Sequence, residues 1–176
     1  MQIDLTGKNA LVTGSTRGIG RAIAQSLRDA GARVAIVGRD QARAEAVAAE
    51  VGNGAQGFAC DVSDLAQVGA LVDAVEKAFG GIDILVNNAG GTGWTPLRGA
   101  AAGGEPDERD RLWRDILAVN LDAVWHVTRA VLPHMTGPRG RVINLSSVLG
   151  RFGVPGFAAY CTAKHGVIGF TRALAL

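Results

Sequence analysis

A tyrosine and a lysine four residues apart, Tyr160 and Lys164, form the pair in this sequence best suited to acid–base chemistry. On a helix, residues i and i+4 point from the same face. A nearby ammonium group stabilises a phenolate, so a phenol beside a lysine can exchange a proton near neutral pH and serve as a general acid or base. The alternative is a tyrosine and a lysine that only share an exposed helix face.

A glycine-rich segment, Thr13–Gly20 with sequence TGSTRGIG, is the second candidate for chemistry. Glycine lets the backbone come close to a phosphate, and the N-terminus of a following helix offers unpaired N–H groups and a favourable dipole. Three glycines alone also fit a tight turn between a strand and a helix. A strand before the segment, a helix after it and a further strand–helix unit beyond favour a dinucleotide-binding loop.

Short apolar runs that alternate with longer helical runs must position these residues. The runs show no polar alternation, so helices are expected on both sheet faces. Right-handed crossovers then predict an α/β fold, a doubly wound, Rossmann-like parallel sheet of order 3-2-1-4-5, with a ligand crevice near the carboxyl ends of strands 1 and 4. The predicted strands are Asn9–Thr13, Arg33–Val37, Gly57–Cys60, Asp83–Val86 and Arg141–Leu145. The predicted helices are Gly18–Ala30, Gln41–Val51, Asp64–Phe79, Arg111–Met135 and a last one from Gly156 to the final residue.

Turn and cap residues refine this picture. Gly31 is expected just after the first helix, and Ser63 is expected to cap the third. The segment Gly91–Asp110, rich in glycine, proline and charge, is predicted to be a loop over the crevice. Without an internal repeat or a linker, residues 1–176 are expected to form a single nucleotide-binding domain.

Composition excludes several classes of protein. The chain has 176 residues, 48% of them hydrophobic, and a net charge of +2, so it should fold and carries no block of charge for nucleic acid or a membrane surface. It shows no secretory signal and no long apolar run, which predicts a cytoplasmic protein. Two cysteines and three histidines have no metal-ligand spacing, so no metal site is expected.

Further motifs follow the glycine segment in a fixed order. The set consists of TGxxxGIG at Thr13–Gly20, NNAG at Asn87–Gly90, Asn120, Ser147 and the YxxxK pair Tyr160 and Lys164. With these motifs the whole chain resembles the classical short-chain dehydrogenase/reductase family, and most of all its 3-oxoacyl-(acyl carrier protein) reductase and polyketide ketoreductase-like members.

The resemblance implies hydride transfer between NADP(H) and a small-molecule carbonyl or secondary alcohol. Tyr160 would act as the general acid or base, and Ser147 would polarise the carbonyl. Lys164 would hold the nicotinamide ribose, and Asn120 would help to hold a water that supplies protons. Asn120 could instead be a satisfied polar residue in a helix kink. Ser146, the neighbour of Ser147, is expected to bond to the backbone in a turn.

The resemblance also assigns the cofactor contacts. The expected cofactor-binding residues are Gly14, Ser15, Arg17, Gly18, Ile19, Gly20, Arg39, Asp61, Val62, Asn88, Ala89, Gly90, Tyr160 and Lys164. Asp61 would line the adenine site, or it could cap the following helix. Asn88, Ala89 and Gly90 would contact the adenosine-side ribose through backbone atoms.

Cofactor choice depends on the end of the second strand, where NAD-binding relatives carry an acidic residue for the ribose 2′-hydroxyl. Here that position is Gly38, followed by Arg39. Arg39 together with Arg17 can bind a 2′-phosphate through charge-assisted hydrogen bonds, which favours NADP(H) over NAD(H). Asp40 complicates this prediction, since it could cap the next helix or pair with Arg39.

The end of the sequence and its remaining reactive residues leave alternatives open. Ala173–Leu176 is apolar without a helix stop signal, so the chain is expected to be incomplete at its C-terminus. By resemblance it would lack a substrate lid and two strands, and the full-length protein would be a homo-oligomer. A non-catalytic NADP(H)-binding module and an inactive fragment are the alternatives to an enzyme. Cys161 is expected to be inert, and Trp94 could lie near the substrate.

Overall fold

The computed structural model describes residues 3–97, 106–135 and 140–176, and these build a five-stranded sheet with helices. The strands are β1 Asn9–Val12, β2 Arg33–Gly38, β3 Gln56–Ala59, β4 Ile84–Asn87 and β5 Arg141–Asn144. The α-helices in these ranges are α1 Gly18–Asp29, α2 Gln41–Val51, α3 Leu65–Phe79, α4 Pro106–Leu117, α5 Ala123–Val131 and α6 Ala158–Leu174. The strand order is β3-β2-β1-β4-β5, which confirms the predicted doubly wound fold.

The register of the strands brings their carboxyl ends together. Val12 of β1 pairs in parallel with Ile36 of β2 and with Val86 of β4. The segments that follow β1, β2 and β4 therefore leave the sheet at the same edge. In an open α/β sheet this is the edge at which ligands bind.

The chain divides into two compact units. The first comprises Met1–Ala89 with His126–Ile143, and the second comprises Gly90–Trp125 with Asn144–Leu176. The first unit has its core in the central strands, where Leu11, Ile36 and Leu85 are fully buried. In the second unit α6 packs against α4 and against the segment that follows α4.

The prediction of a single helix over Arg111–Met135 is wrong. Helix α4 begins earlier, at Pro106, and proline is favoured in the first helical turn because its missing N–H would be unpaired there in any case. The π-helical segment Ala118–Asp122 separates α4 from α5, and a short 3₁₀ turn follows α5. The predicted loop Gly91–Asp110 is accordingly wrong over residues 106–110, and residues 98–105 lie outside the described part.

Of the two residues expected at helix ends, Gly31 lies where predicted and Ser63 does not act as a cap. Gly31 follows the C-cap residue of α1, which confirms its expected place just after the helix, and it has a φ of +100°. Ser63 does not cap α3, since the Asp64 carboxylate accepts the hydrogen bonds from the backbone N–H groups of Ala66 and Gln67, at 2.9 and 3.2 Å. Serine and aspartate are both good N-caps, and their adjacency makes the sequence ambiguous by one residue.

Two glycines give a test of the packing between β3 and α2. A Cβ added at Gly57 would collide with the backbone of Ala44 and Glu45, whereas one added at Gly69 in α3 would meet nothing within 4 Å. We expect Gly57→Ala to lower the free energy of unfolding by about 1–3 kcal/mol through overpacking. We expect Gly69→Ala to raise it by about 0.5–1 kcal/mol, since alanine favours the helix. Urea denaturation of both variants measures this, and a neutral Gly57→Ala would contradict the close packing.

Candidate active site

Three glycines shape the loop between β1 and α1, each for its own reason. Gly14 and Gly18 have φ values of +65° and +55°, a region that disfavours other residues. A Cβ added at Gly14 would lie 2.9 Å from the Ala89 Cα, and one added at Gly20 would collide with the Asn88 side chain. Nothing lies within 4 Å of the Cβ position at Gly18. The loop is therefore packed at Gly14 and Gly20 and open at Gly18.

The N-terminus of α1 lies in the open part of the loop. Arg17 occupies the N-cap position in extended conformation, and its side chain makes no capping hydrogen bond. Arg17 and Ile19 are both exposed to solvent. An exposed helix N-terminus without a side-chain cap presents backbone N–H groups and a positive dipole end, the arrangement that binds phosphate groups.

Ser15 fixes this loop to β2. Its buried hydroxyl donates to the carbonyl of Val12 at 2.7 Å and accepts from the backbone N–H of Val37 at 2.8 Å. The backbone N–H of Ser15 donates in turn to the Val37 carbonyl at 2.9 Å. Because its donors are used within the protein, Ser15 holds the loop in place, and its direct contact with a cofactor stays a prediction.

Thr13 fixes the same loop to the end of β4. Its buried hydroxyl oxygen accepts from the backbone N–H groups of Asn88 and Ala89, both at 3.0 Å. The Asn88 side chain donates back to the carbonyls of Thr13 and Gly14, at 2.9 and 3.1 Å. Any ribose contact through the Asn88 or Ala89 backbone would consequently use a carbonyl oxygen. Sequence reasoning missed Thr13, although it opens the glycine motif.

Thr13 therefore allows a test of the link between loop order and cofactor binding. Valine keeps the shape of threonine but leaves two backbone N–H groups without an acceptor, so Thr13→Val should lower the free energy of unfolding by about 1–3 kcal/mol. Cofactor affinity should fall with it. Thr13→Ser keeps the hydroxyl and is the matched control. Urea denaturation and cofactor titration measure both effects, and equal affinity in the two variants would show that the hydroxyl does not order the loop.

The residues after β2 are Arg39, which is exposed, and Asp40. The Asp40 carboxylate accepts from the backbone N–H of Arg43 at 2.7 Å and so caps α2. Of the two alternatives for Asp40, helix capping is therefore the one found. The carboxylate has a structural task, and Arg39 presents its charge to solvent.

Asp61, after β3, accepts from the backbone N–H and the hydroxyl of Ser63, at 3.0 and 2.6 Å. These hydrogen bonds lower its pKa, and the positive charge of Arg39 contributes to the shift. Asp61 does not cap α3, so that alternative is wrong, while its place at the adenine remains a prediction. Val62 beside it is buried. Burial first, and then the charges of Asp61 and Asp64, raise the pKa of the Cys60 thiol to about 11, so Cys60 is unreactive at neutral pH.

In the second unit, α6 carries both Tyr160 and Lys164, as their spacing predicts. Lys164 is only 4% exposed. Its ammonium nitrogen donates to the Leu145 carbonyl at 3.0 Å and lies 5.7 Å from the centre of the Tyr160 ring. Burial lowers the pKa of Lys164. A buried ammonium is costly and is rarely kept without a partner or a task.

Asn120 lies beside this lysine, in the π-helical segment, and is fully buried. Its amide donates to the carbonyls of Gly91 at 2.7 Å and of Ile116 at 2.9 Å, and its oxygen accepts from the Gly91 N–H at 3.3 Å. A Cβ added at Gly90 would lie 2.6 Å from the Asn120 oxygen and 3.7 Å from the Lys164 nitrogen. Asn120 is thus a satisfied polar residue in an irregular helix, and it is also a neighbour of Lys164.

The two serines after β5 differ in their hydrogen bonds. Ser146 donates to the Lys164 carbonyl at 2.9 Å, which confirms it as a backbone-bonding residue. The Ser147 hydroxyl accepts from the Leu149 N–H at 3.2 Å, at the start of a 3₁₀ turn. A hydroxyl that accepts in this way still has its own proton to donate. Ser147 is therefore the serine with a donor suited to a substrate oxygen.

A cavity of about 430 Å³ lies near the start of α6. The cavity is lined mostly by apolar residues, from Trp94–Leu97 and from Val154, Pro155, Gly156 and Ala158. The Trp94 ring packs edge-on against Phe157, with centroids 5.4 Å apart. The Thr95 N–H donates to the Gly156 carbonyl at 2.7 Å, and the Ala159 N–H donates to the Thr95 hydroxyl at 3.1 Å. The lining segments are thereby fixed to the turn of α6 that carries Tyr160.

The described ranges contain neither a metal-binding cluster nor a membrane-spanning helix. No group of three or more histidine, cysteine, aspartate or glutamate side chains there is arranged to bind a metal ion. The helices of this part of the chain are all too short or too polar to cross a membrane.

A glycine loop at the carboxyl end of a parallel strand, followed by an uncapped helix N-terminus, defines an α/β dinucleotide-binding protein. The family model described as short chain dehydrogenase matches residues 8–176. The chain belongs to the short-chain dehydrogenase family and is an oxidoreductase of that family.

Individual relatives agree with this assignment. The chain is 44% identical over 172 residues to the 3-oxoacyl-(acyl-carrier-protein) reductase of Haemophilus influenzae, which aligns 97% of this chain with 68% of that protein. It is 42% identical over 173 residues to nodulation protein G of a Rhizobium species, with 98% and 67% covered. The structure of a gluconate 5-dehydrogenase from Burkholderia cenocepacia, in complex with NADP and tartrate, superimposes with a TM-score of 0.86 at 38% identity and covers 98% of this chain and 66% of that one.

Proposed function

We propose that this chain is an NADP(H)-dependent carbonyl reductase, with residues 1–176 acting as one nucleotide-binding domain. The observation that carries the proposal is the burial of Lys164, on the same helix as Tyr160 and beside Asn120. A non-catalytic nucleotide-binding module would need the glycine loop but not a desolvated lysine next to a phenol. A relative named as a 3-oxoacyl-(acyl-carrier-protein) reductase supports the same reaction class.

The glycine loop fits a dinucleotide. The loop is open at Gly18 and closely packed at Gly14 and Gly20, and the N-terminus of α1 has no side-chain cap. A pyrophosphate could therefore bind directly to the backbone of this loop. The residues that would hold the cofactor are Gly14, Ser15, Arg17, Gly18, Ile19, Gly20, Arg39, Asp61, Val62, Asn88, Ala89, Gly90, Tyr160 and Lys164. When bound, NADPH supplies the hydride that reduces the carbonyl carbon.

The choice of NADP(H) rests on charge at the end of β2. Gly38 offers no carboxylate to a ribose 2′-hydroxyl, and the Asp40 carboxylate is engaged in capping α2. Arg39 and Arg17 are exposed and carry the positive charge that a 2′-phosphate requires. A relative of known structure binds NADP, in agreement with this choice.

Tyr160 donates a proton to the carbonyl oxygen in reduction and accepts one in oxidation. The Ser147 hydroxyl donates a hydrogen bond to the same oxygen and stabilises the negative charge that develops there. Lys164 is a buried residue, so its charge would stabilise a phenolate more strongly than that of an exposed lysine. Asn120, next to Lys164, takes part in returning the proton to the pair.

The substrate is proposed to be a small-molecule ketone or secondary alcohol with an apolar substituent. The cavity beside Trp94 is lined mostly by apolar groups and is fixed to the turn of α6 that carries Tyr160. A substituent next to the reacting carbonyl would lie against Trp94. From the family resemblance alone, we propose that the full-length protein is a homo-oligomer.

Replacement of the tyrosine tests the proton role. Tyr160→Phe keeps the ring and removes the hydroxyl, so NADPH-dependent ketone reduction should fall by about 100-fold or more. NADPH binding, followed by nicotinamide fluorescence, should stay close to that of the wild type. Unchanged turnover would exclude Tyr160 as the acid, and loss of turnover and binding together would indicate a structural role.

Two tryptophans offer a matched test of the substrate cavity. Trp94 and Trp125 are each 50% exposed, and each packs edge-on against a phenylalanine. Trp94→Ala should lower kcat/KM for an aryl ketone by about tenfold, since loss of about 1.4 kcal/mol of apolar contact corresponds to that factor. A small aliphatic ketone should be affected much less. Trp125→Ala, the control, should not change the ratio between the two ketones, and an equal ratio in both variants would remove Trp94 from the substrate site.

A further inference from the structure

Gly38, the last residue of β2, has no room for a side chain. Its φ lies outside the left-handed region, so the backbone conformation alone would accept any residue. A Cβ added there, however, would lie 2.5 Å from the Thr16 methyl carbon and 3.1 Å from the Thr16 hydroxyl oxygen. Distances below 3.0 Å essentially never occur for real Cβ atoms. A side chain at this position would therefore collide with the side chain of Thr16 unless Thr16 moved.

Neither side of this contact can easily retreat. On the β3 side, the Gly38 carbonyl accepts from the Cys60 N–H at 2.7 Å, and Gly38 pairs with Ala59. On the loop side, the residue before Thr16 is Ser15, which is hydrogen-bonded to Val37 through both its backbone and its hydroxyl. Threonine is branched at Cβ and has few χ1 rotamers with which to move aside.

Position 38 matters chemically because it is the end of the second strand. A carboxylate at that position would accept a hydrogen bond from the ribose 2′-hydroxyl and favour NAD(H). The neighbouring carboxylate of Asp40 lies two residues further along the chain, at the start of α2, where one of its oxygens accepts from the Arg43 N–H. Whether an acidic residue can enter position 38 thus depends on the residue at position 16.

We propose that Thr16 is a specificity-determining residue, which keeps position 38 free of side chains and thereby excludes the carboxylate that would select NAD(H). The inference rests on the proposed NADP(H)-dependent function and adds to it a residue of the glycine loop. Thr16 acts through Gly38, so it is a positioning residue. The consequence is that substitutions at positions 16 and 38 act together on cofactor choice.

The experiment compares the wild-type chain with three variants of the same length. These are Gly38→Asp, Thr16→Ala and the double variant that carries both substitutions. Dissociation constants for NADPH and NADH come from fluorescence titration, and stability comes from the urea midpoint. Gly38→Asp alone should lower the midpoint and gain little NADH affinity, because its Cβ meets Thr16. The double variant should recover the midpoint and bind NADH at least about tenfold more tightly than Gly38→Asp alone.

Two controls separate space from charge. Gly38→Ala adds only the Cβ. It should lower the urea midpoint of the wild-type chain, which has Thr16, but not that of the Thr16→Ala variant. Thr162→Ala, at an exposed threonine of α6, should not rescue Gly38→Asp.

The possible outcomes are distinct. If Gly38→Asp alone binds NADH as tightly as the double variant, or if the two substitutions are additive, the role of Thr16 is refuted while the proposed function stands. If the wild type shows no preference for NADPH over NADH, the proposed cofactor choice fails, and the inference fails with it.

Discussion

Two buried hydroxyl groups, those of Thr13 and Ser15, hold the end of β1 to its neighbours, and the candidate cofactor site depends on them. Where a strand of a parallel sheet ends, the next backbone N–H and C=O groups have no partners in the neighbouring strands. If these groups are buried, other hydrogen bonds must pair them. Ser15 pairs with both backbone groups of Val37, and Thr13 accepts from two N–H groups beyond β4. The glycine loop is therefore fixed on both sides and can be open at Gly18 without being disordered. Preorganisation of this kind lowers the entropic cost of binding a ligand.

A second constraint operates in the other compact unit, where an ammonium group is buried. Lys164 keeps a carbonyl acceptor at Leu145, and burial lowers the pKa of its ammonium group. The π-helical segment brings the Asn120 side chain into the same surroundings, where a regular helix would have paired its backbone differently. Irregular helical turns of this kind frequently occur at functional sites. The proposed proton chemistry of Tyr160 would account for the burial of this lysine.

Much of the fold could be predicted from the sequence, since apolar runs and right-handed crossovers leave few topologies. The residues of the candidate site could be named because they form motifs. The structural contacts of these residues were harder to predict from the sequence. Whether Ser63 or Asp64 caps α3 depends on one residue of register, and the interruption at Asn120 depends on hydrogen bonds with the distant Gly91. The contact between Thr16 and Gly38 is also invisible in residue types, because it arises from the packing of a loop on a strand.

Isotope transfer tests the central claim most directly. The protein would be incubated with an aryl ketone and NADPH that carries deuterium at C4 of the nicotinamide, on each face in turn, and the alcohol would be examined by mass spectrometry and NMR. Deuterium at the carbinol carbon from one face, with far less product from Tyr160→Phe under the same conditions, is the predicted result. No alcohol from the wild type, or an alcohol without deuterium from either face, would contradict the account.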